Sequence, residues 1–246
     1  MWHILIFIFG AIIGSFLNVV IYRLPRRGVT LWTPPYSFCP NCRKKIHWFD
    51  NIPILSYILL KGKCRYCGWR IPIRYFLVEV VNASGYLLNS FVFEDPFKMV
   101  SSCLILSSLI AITFIDLDTM LIPDSLNLLV LVGGLVIALR SSFLEHFLSS
   151  LFAFFMFLLM YRIYKGGMGM GDVFLAGSLG MMLGFFPMIL TVLAASFSGI
   201  IYALVKNKGK VDMKLKIPFG PFLATSGYII FILSNILRWS VWQEFF

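Results

Sequence analysis

The chain has 246 residues with a formal net charge of +10; 59% of the residues are hydrophobic and only 13% are charged. Its mean hydropathy of +0.88 excludes an ordinary soluble globular domain, which is about half apolar and about a quarter charged. A large soluble helical bundle would need polar helix faces, and the apolar segments of this chain have almost none. The composition predicts an all-α integral membrane protein.

Apolar stretches near the length of a membrane span recur along the chain, separated by short polar segments. We predict about eight transmembrane helices, at residues 2–22, 76–93, 98–115, 125–140, 147–164, 173–186, 187–205 and 218–238. The first is not a cleaved signal peptide, because its positive charges follow the apolar run. The predicted organisation is a first helix at 1–22, a cytoplasmic basic loop at 23–75 and a seven-helix membrane domain at 76–246.

One loop carries the net charge of the whole chain. Residues 23–74 hold eleven Lys or Arg and a single acid, Asp50, while the ten basic and ten acidic residues elsewhere cancel. The positive-inside rule makes this loop cytoplasmic and places the N-terminus outside. Counting through eight spans then places the loop with Glu94 and Asp95 and the loop with Glu145 outside. It places both acidic clusters inside, together with the last basic cluster, Lys206, Lys208, Lys210, Lys214 and Lys216.

The basic loop contains two Cys-x-x-Cys pairs, Cys39 with Cys42 and Cys64 with Cys67, separated by 21 residues. This spacing is typical of a structural zinc site, in which four thiolates fill the tetrahedral shell and leave no position open for catalysis. Disulfides are the main alternative, but thiols of a cytoplasmic loop stay reduced. The basic loop could also bind nucleic acid, yet anionic lipid head groups explain its charge, so we expect membrane lipid and no nucleic acid as a partner.

Acids are scarce, and four of the eleven stand at two predicted membrane edges. Asp116, Asp118 and Asp124 follow the span at 98–115, and Asp172 closes the glycine-rich run at 166–172. A carboxylate at the edge of an apolar helix is costly to desolvate, so these acids indicate a functional site. Two carboxyls that meet share a proton, so one can take a proton from water while the other polarises a peptide carbonyl.

The residues alone leave several classes of protein open. A hydrolase would use the acids as just described. An ion- or proton-coupled transporter also uses intramembrane acids as relays, but it needs them near mid-membrane, whereas these lie at one face. A membrane scaffold without catalysis would tolerate Asp172→Asn with no change in substrate processing.

Further motifs occur in a single order along the chain. They are GSFLNVVIYRLP at 14–25, the paired Cys-x-x-Cys loop, Arg74-Tyr75, Glu79, the acidic run from Asp116 to Asp124, Gly169-Met170-Gly171-Asp172 and IPFGPF at 217–222. Together they resemble the bacterial type IV prepilin peptidase family, whose members are bifunctional leader peptidases and N-methyltransferases. The resemblance extends from residue 11 to about residue 225.

The resemblance implies an aspartic protease of the Gly-x-Gly-Asp type in the bacterial inner membrane, with its active site facing the cytoplasm. Such enzymes cleave the basic leader of prepilins or pseudopilins after a glycine and then methylate the new N-terminal amine with S-adenosylmethionine. The implied catalytic pair is Asp116 and Asp172. Asp124 is expected to cap the helix that follows Pro123, and Asp118 to be a solvated neighbour. The chain departs from the family at Phe76, where many members carry proline.

No glycine-rich nucleoside-binding fingerprint is present in the sequence, so the methyl-donor site is a hypothesis. We expect the zinc loop and the edges of the first two spans to form it, with Asn18, Arg74 and Glu79 as binding residues. The alternative for Glu79 is an ion pair with Arg74 or Arg23. The positive loop would also repel a basic leader, so anionic lipid must partly neutralise it or the loop must face elsewhere.

Overall fold

The computed structural model describes residues 1–26, 28, 30–164, 168–206 and 217–237. Gly166 and Gly167 of the glycine run, and the last basic cluster beyond Lys206, lie outside these ranges. The described residues are mostly helical and form no strand, only two isolated β-bridges, Phe38–Lys45 and Lys63–Arg70. The predicted all-α class is confirmed.

The described residues form nine α-helices. They are α1 (Trp2–Arg23), α2 (Leu55–Leu59), α3 (Ile73–Val92), α4 (Pro96–Thr119), α5 (Asp124–Leu139), α6 (Phe143–Ile163), α7 (Met170–Leu183), α8 (Phe185–Lys206) and α9 (Gly220–Ile236), with a 3-10 turn at Trp48–Asn51 before α2. Each predicted span corresponds to one helix, and α2 is a short addition within the basic loop. By length and composition α1, α4, α6 and α8 could cross a membrane, while α5, α7 and α9 are shorter apolar helices.

Residues 1–91 form one compact unit, in which α1 packs closely on α3. A Cβ atom added at Gly10 would lie 2.8 Å from the Tyr86 side chain, and one at Gly14 would lie 2.8 Å from the Glu79 backbone. The buried Asn82 side chain donates a hydrogen bond of 2.7 Å to the Gly10 carbonyl. Small residues and interhelical hydrogen bonds of this kind join helices in membranes. The contact brings Glu79 beside α1.

Residues 92–246 form the second unit, in which α4 is the most enclosed of the spanning helices. The most apolar window of α4 is 72% buried, against 22% for α6 and 17% for α8. Helix α5 packs closely on both α4 and α7: a Cβ at Gly133 would lie 2.7 Å from Ile105, and one at Gly134 would lie 3.0 Å from the Met182 backbone. An acid on the inward side of α4 is therefore enclosed by neighbouring helices.

Asp124 does not cap the helix after Pro123: α5 begins at Asp124 itself, with Pro123 as its N-cap. The Asp124 carboxylate lies in the first turn instead, where a negative charge is favoured by the helix dipole. Phe76, the departure from the family pattern, lies inside α3 and stacks on Tyr57 with ring centroids 5.1 Å apart.

Candidate active site and metal centre

The acidic run at the end of α4 contains one buried acid and two exposed ones. Asp116 is 4% exposed, whereas Asp118 and Asp124 are exposed. Successive residues of an α-helix are about 100° apart, so Asp116 and Asp118 point in nearly opposite directions and only one can face the interior. Helix packing selects Asp116, a choice that sequence spacing did not decide.

Asp172 lies in the first turn of α7 and is 8% exposed. The Gly169 backbone amide, just before the helix, donates a hydrogen bond of 3.1 Å to Asp172 Oδ2. This contact orients the carboxyl at the helix N-terminus, where the dipole favours negative charge. A Cβ at Gly171 would lie 2.8 Å from Ile122 Cβ, so the glycine run lets the start of α7 approach the α4–α5 connection.

The two buried acids are neighbours, and the charge of Asp116 acts on Asp172. Ile122, in the connection between α4 and α5, lies beside the starts of α7 and α9: its side chain is next to Gly171 and 2.9 Å from the position that a Cβ at Gly220 would take. The same Cβ position at Gly220 is 2.6 Å from Asp116 Oδ2. Among the described residues, Asp116 Oδ2 and Asp172 Oδ1 are buried and accept no hydrogen bond. Such oxygens are costly to leave unpaired, and a water or a peptide placed between them would satisfy both.

Two contributors to this site were not predicted. The Gly220 backbone amide, at the start of α9, donates to the Asp116 carboxyl. Asn127 of α5 is 4% exposed and donates a hydrogen bond of 3.3 Å to the Gly171 carbonyl, next to Asp172. The IPFGPF motif could have indicated Gly220, and an amide side chain within an apolar span could have indicated Asn127.

In the first unit, the four loop cysteines form one cluster. Their sulfur atoms all lie within 4.8 Å of one another, and Cys39 Sγ is 3.9 Å from Cys67 Sγ. Four sulfurs placed tetrahedrally about 2.3 Å from a zinc ion are about 3.8 Å apart, so the cluster fits an ion of that size. The cysteines of the described residues are all free, which does not support the disulfide alternative.

Both cysteine pairs adopt the same turn. The Cys39 amide donates to the Lys44 carbonyl at 3.0 Å and the Arg43 amide to the Cys39 carbonyl at 2.8 Å. In the second pair, the Cys64 amide donates to Trp69 at 2.9 Å and the Gly68 amide to Cys64 at 3.0 Å. We call these two turns, residues 39–44 and 64–69, the knuckles. In each knuckle the residue four positions after the first cysteine has a positive φ, 57° at Arg43 and 69° at Gly68.

Polar side chains brace the knuckles. Arg65 donates to both carboxylate oxygens of Asp50, with Nε–Oδ2 at 2.8 Å and Nη2–Oδ1 at 2.6 Å. This hydrogen-bonded arginine lowers the pKa of Asp50 below its usual range. The Asn41 side chain donates to Cys67 Sγ at 3.6 Å and lowers the pKa of that thiol to about 6. These contacts favour the ionised forms of Asp50 and Cys67, whereas burial raises the pKa of the Cys39 thiol to about 11.

The first unit also contains a cavity beside α1 and α3, with an empty volume of about 1180 Å³ including its open mouth. Of the three residues proposed for the methyl donor, Asn18 and Glu79 line it. Asn18 Nδ2 donates to the Tyr75 carbonyl at 3.0 Å. Arg74 is not among the lining residues; its guanidinium lies 5.9 Å from the centre of the Tyr75 ring.

Glu79 accepts hydrogen bonds from neutral donors. Its Oε2 accepts from the Ile54 backbone amide at 2.7 Å, and the carboxylate also accepts from the Ser15 side chain. Arg23, one of its two expected ion-pair partners, is 4% exposed and is used elsewhere. The Arg23 guanidinium donates to the backbone carbonyls of Leu31, Pro34 and Tyr36 at 3.0, 2.8 and 3.1 Å.

The fold and these sites define a helical membrane protein with a buried carboxyl pair and a four-thiol cluster. Comparison with known proteins gives its family. Residues 8–93 match the Bacterial Peptidase A24 N-terminal domain, and residues 103–204 match the Type IV leader peptidase family. The chain belongs to the type IV leader peptidase family, and the resemblance noted in the sequence is confirmed.

Individual relatives match over most of their length. A prepilin leader peptidase/N-methyltransferase from Aeromonas hydrophila is 35% identical over 96% of this chain and 92% of its own. One of the same name from Neisseria gonorrhoeae is 33% identical over 96% and 91%, respectively. A type 4 prepilin-like proteins leader peptide-processing enzyme from Escherichia coli is 34% identical over 89% of each chain. No solved structure matches the chain.

Proposed function

We propose that the chain is an aspartic endopeptidase of the bacterial inner membrane that removes the basic leader of type IV prepilins or pseudopilins and then N-methylates the new terminus. One observation carries the peptidase assignment: Asp116 and Asp172, distant in sequence, are buried neighbours with unpaired carboxyl oxygens among the described residues. The names of the relatives support the substrate class and both activities. The transporter alternative has no such support.

The acid pair can hydrolyse a peptide without a serine or a metal. Two carboxyls at close range cannot both ionise, so they hold one proton between them. The ionised carboxyl takes a proton from the attacking water, while the protonated one donates a hydrogen bond to the scissile carbonyl. The backbone amides of Gly169 and Gly220 orient the two acids, so the oxygens without protein donors face the reactants.

The length of α7 suits a substrate that enters from the bilayer. Its 14 residues rise about 21 Å, less than the hydrocarbon thickness of about 30 Å. Asp172, in its first turn, would therefore meet a membrane-embedded chain near the surface of the bilayer. A prepilin has a hydrophobic helix preceded by a basic leader, so its junction would fall at this depth. With the N-terminus outside, this site faces the cytoplasm.

We also propose that Cys39, Cys42, Cys64 and Cys67 hold a zinc ion. The sulfur separations support this, because they match a tetrahedral shell. Four thiolates leave no open coordination position, so the ion would cross-link the two knuckles and take no part in hydrolysis.

The cavity of the first unit is the proposed site for S-adenosylmethionine, which supplies an electrophilic methyl group when bound. A carboxylate whose partners among the described residues are neutral, together with several aromatic side chains, suits a cationic sulfonium. Asn18 and Glu79 line the cavity and are placed to contact this ligand, whereas Arg74 is not among the residues that line it.

The peptidase assignment is tested with purified protein and a prepilin in detergent, by following the gel shift that removal of the leader produces. Asp116→Asn and Asp172→Asn should each lower the cleavage rate by at least about 100-fold, since each removes a group that transfers a proton. Asp118→Asn and Asp124→Asn are matched controls at exposed positions and should cleave like the wild type. Unchanged cleavage in either of the first two variants rejects that residue as catalytic.

A further inference from the structure

Glu79 gives the cavity a carboxylate for which the described residues show no ion pair. Two carboxylates line the cavity, and Asp50 is held by the bidentate contact with Arg65. The described partners of Glu79 are the Ile54 amide and the Ser15 hydroxyl, both neutral. A carboxylate has about four acceptor positions, so two donors orient it and leave positions for a cationic ligand.

The backbone that holds Glu79 is itself unusual. Ile54 has φ 65° and ψ −55°, and the Leu55 amide donates to the Pro53 carbonyl at 2.6 Å, which is a γ-turn with positive φ. A β-branched residue in this conformation is strained and persists only where the surroundings hold it. The hydrogen bond from the Ile54 amide to Glu79 ties the strained turn to the carboxylate. Such strain is concentrated at functional sites, which supports a role for Glu79 beyond packing.

N-methylation needs a group that accepts a proton. An N-terminal amine has a pKa of about 7.7–8.0, so most of it is ammonium at neutral pH and has no lone pair for attack. Resting on the methyltransferase activity proposed above, we propose that the Glu79 carboxylate takes the proton from the N-terminal ammonium of the cleaved pilin. The N–H bond breaks and its proton moves to a Glu79 oxygen. The amine lone pair then forms the N–C bond as the methyl carbon separates from sulfur, which keeps the bonding electron pair.

Other titratable groups around the cavity are less suited to this role. Arg23 and Arg65 are cations and cannot accept a proton. Cys39 and Cys64 belong to the thiol cluster. The remaining groups are the phenols of Tyr22, Tyr57, Tyr66 and Tyr75, whose aromatic rings line the cavity and can surround a cation.

The test uses full-length protein in detergent, a pilin whose leader has already been removed, and radiolabelled S-adenosylmethionine. Glu79→Gln keeps an acceptor oxygen for the Ile54 amide but removes the base. Two quantities are measured for the variant: the Kd for S-adenosylmethionine, and the methylation rate between pH 6.5 and pH 9. Prepilin cleavage by the same preparation reports on the rest of the molecule. Glu94→Gln, at an exposed position in the other unit, is the matched control.

We expect Glu79→Gln to cleave prepilin normally and to bind the methyl donor with a Kd raised by no more than about tenfold, because glutamine keeps an oxygen for the contact but loses the charge. Its methylation rate at pH 7 should fall at least about 100-fold. The residual rate should rise about tenfold per pH unit and level off near pH 8, as the amine loses its proton to solvent. Glu94→Gln should match the wild type throughout.

Other results overturn the assignment. A methylation rate that saturating methyl donor restores to the wild-type level in Glu79→Gln would mean that Glu79 only holds the sulfonium, and normal methylation at pH 7 would mean that another group takes the proton. A variant profile parallel to that of the wild type would exclude a base at this position. If the wild type itself transfers no methyl group at any pH, the proposed methyltransferase activity fails, and this assignment fails with it.

Discussion

Asp116 and Asp172 keep their carboxyl groups inside the protein because each is met by a backbone amide at the start of a helix. The Gly220 amide begins α9 beside Asp116, and the Gly169 amide precedes α7 beside Asp172. Helix N-termini carry a partial positive charge that favours an anion, while burial opposes two anions together. These opposing effects suit a pair that holds one negative charge and one proton.

Asn127 is expected to position this pair. Its side chain holds the carbonyl of Gly171, the residue before Asp172, and the Asn127 carbonyl accepts a hydrogen bond of 3.3 Å from Ser178 in the same helix as Asp172. Asn127→Ala should lower kcat for prepilin cleavage by about 10- to 100-fold, because small displacements of a catalytic group cost this much. Methyl transfer to an already cleaved pilin should not change.

Thr191→Ala is the matched control for Asn127→Ala. Thr191 is fully buried in α8, but among the described residues its hydroxyl bonds only back to the Pro187 carbonyl of its own helix, at 2.9 Å. Both variants lose a buried polar group, so both should lower the thermal midpoint by a similar amount. If cleavage by the two variants falls in parallel, Asn127 contributes to stability and does not position Asp172.

At one position with the same backbone conformation, one knuckle carries a residue with a side chain and the other carries glycine. This difference makes the conformational strain of the knuckles measurable. Arg43 and Gly68 occupy equivalent positions with positive φ, and an L-residue with a side chain is less stable there by about 1 kcal/mol. Arg43→Gly should therefore stabilise the loop by up to about 1 kcal/mol, and Gly68→Ala should destabilise it by a similar amount. With a chromogenic chelator as the readout, Arg43→Gly should release the proposed zinc ion more slowly than the wild type. Gly68→Ala should release it faster.

Control variants in the same two knuckles separate the conformational effect from steric and charge effects. A Cβ at Gly68 would meet no atom within 4 Å, so the cost of Gly68→Ala is conformational and not steric. Arg43→Ala removes the charge but keeps a Cβ, so it should release zinc at the wild-type rate. Slower release from Arg43→Ala, equal to that from Arg43→Gly, would assign the effect to the arginine charge.

Sequence predicts some of these elements and not others, for physical reasons. The spacing of Cys39, Cys42, Cys64 and Cys67 was sufficient to predict their cluster, because four thiols at that spacing have few other uses. The γ-turn at Ile54 was not predictable, because contacts distant in sequence override local preference there. Helix packing decides which of Asp116, Asp118 and Asp124 faces the interior, and residue types alone do not encode that packing.

At the scale of the whole molecule, hydropathy located the eight helices of fourteen or more residues that the described part of the chain forms. It could not show which of them are enclosed, because an apolar side chain is suited equally to lipid and to a protein interior. Helices α5, α7 and α9 have 16, 14 and 17 residues, short for a membrane of ordinary thickness. The division at residues 22 and 75 and the number of complete crossings therefore stay predictions.

Membrane orientation can be tested on α4 alone. Its 24 residues rise about 36 Å, enough to cross the hydrocarbon core, so Glu94 before it and Asp118 in its last turn should face opposite sides. In intact cells stripped of their outer membrane, an impermeant maleimide should label Glu94→Cys directly and Asp118→Cys only after permeabilisation. The wild type, with its own cysteines in the basic loop and at buried Cys103, gives the background. Labelling of Asp118→Cys in sealed cells would put the acid pair on the outer face, where a cytoplasmic leader could not reach it.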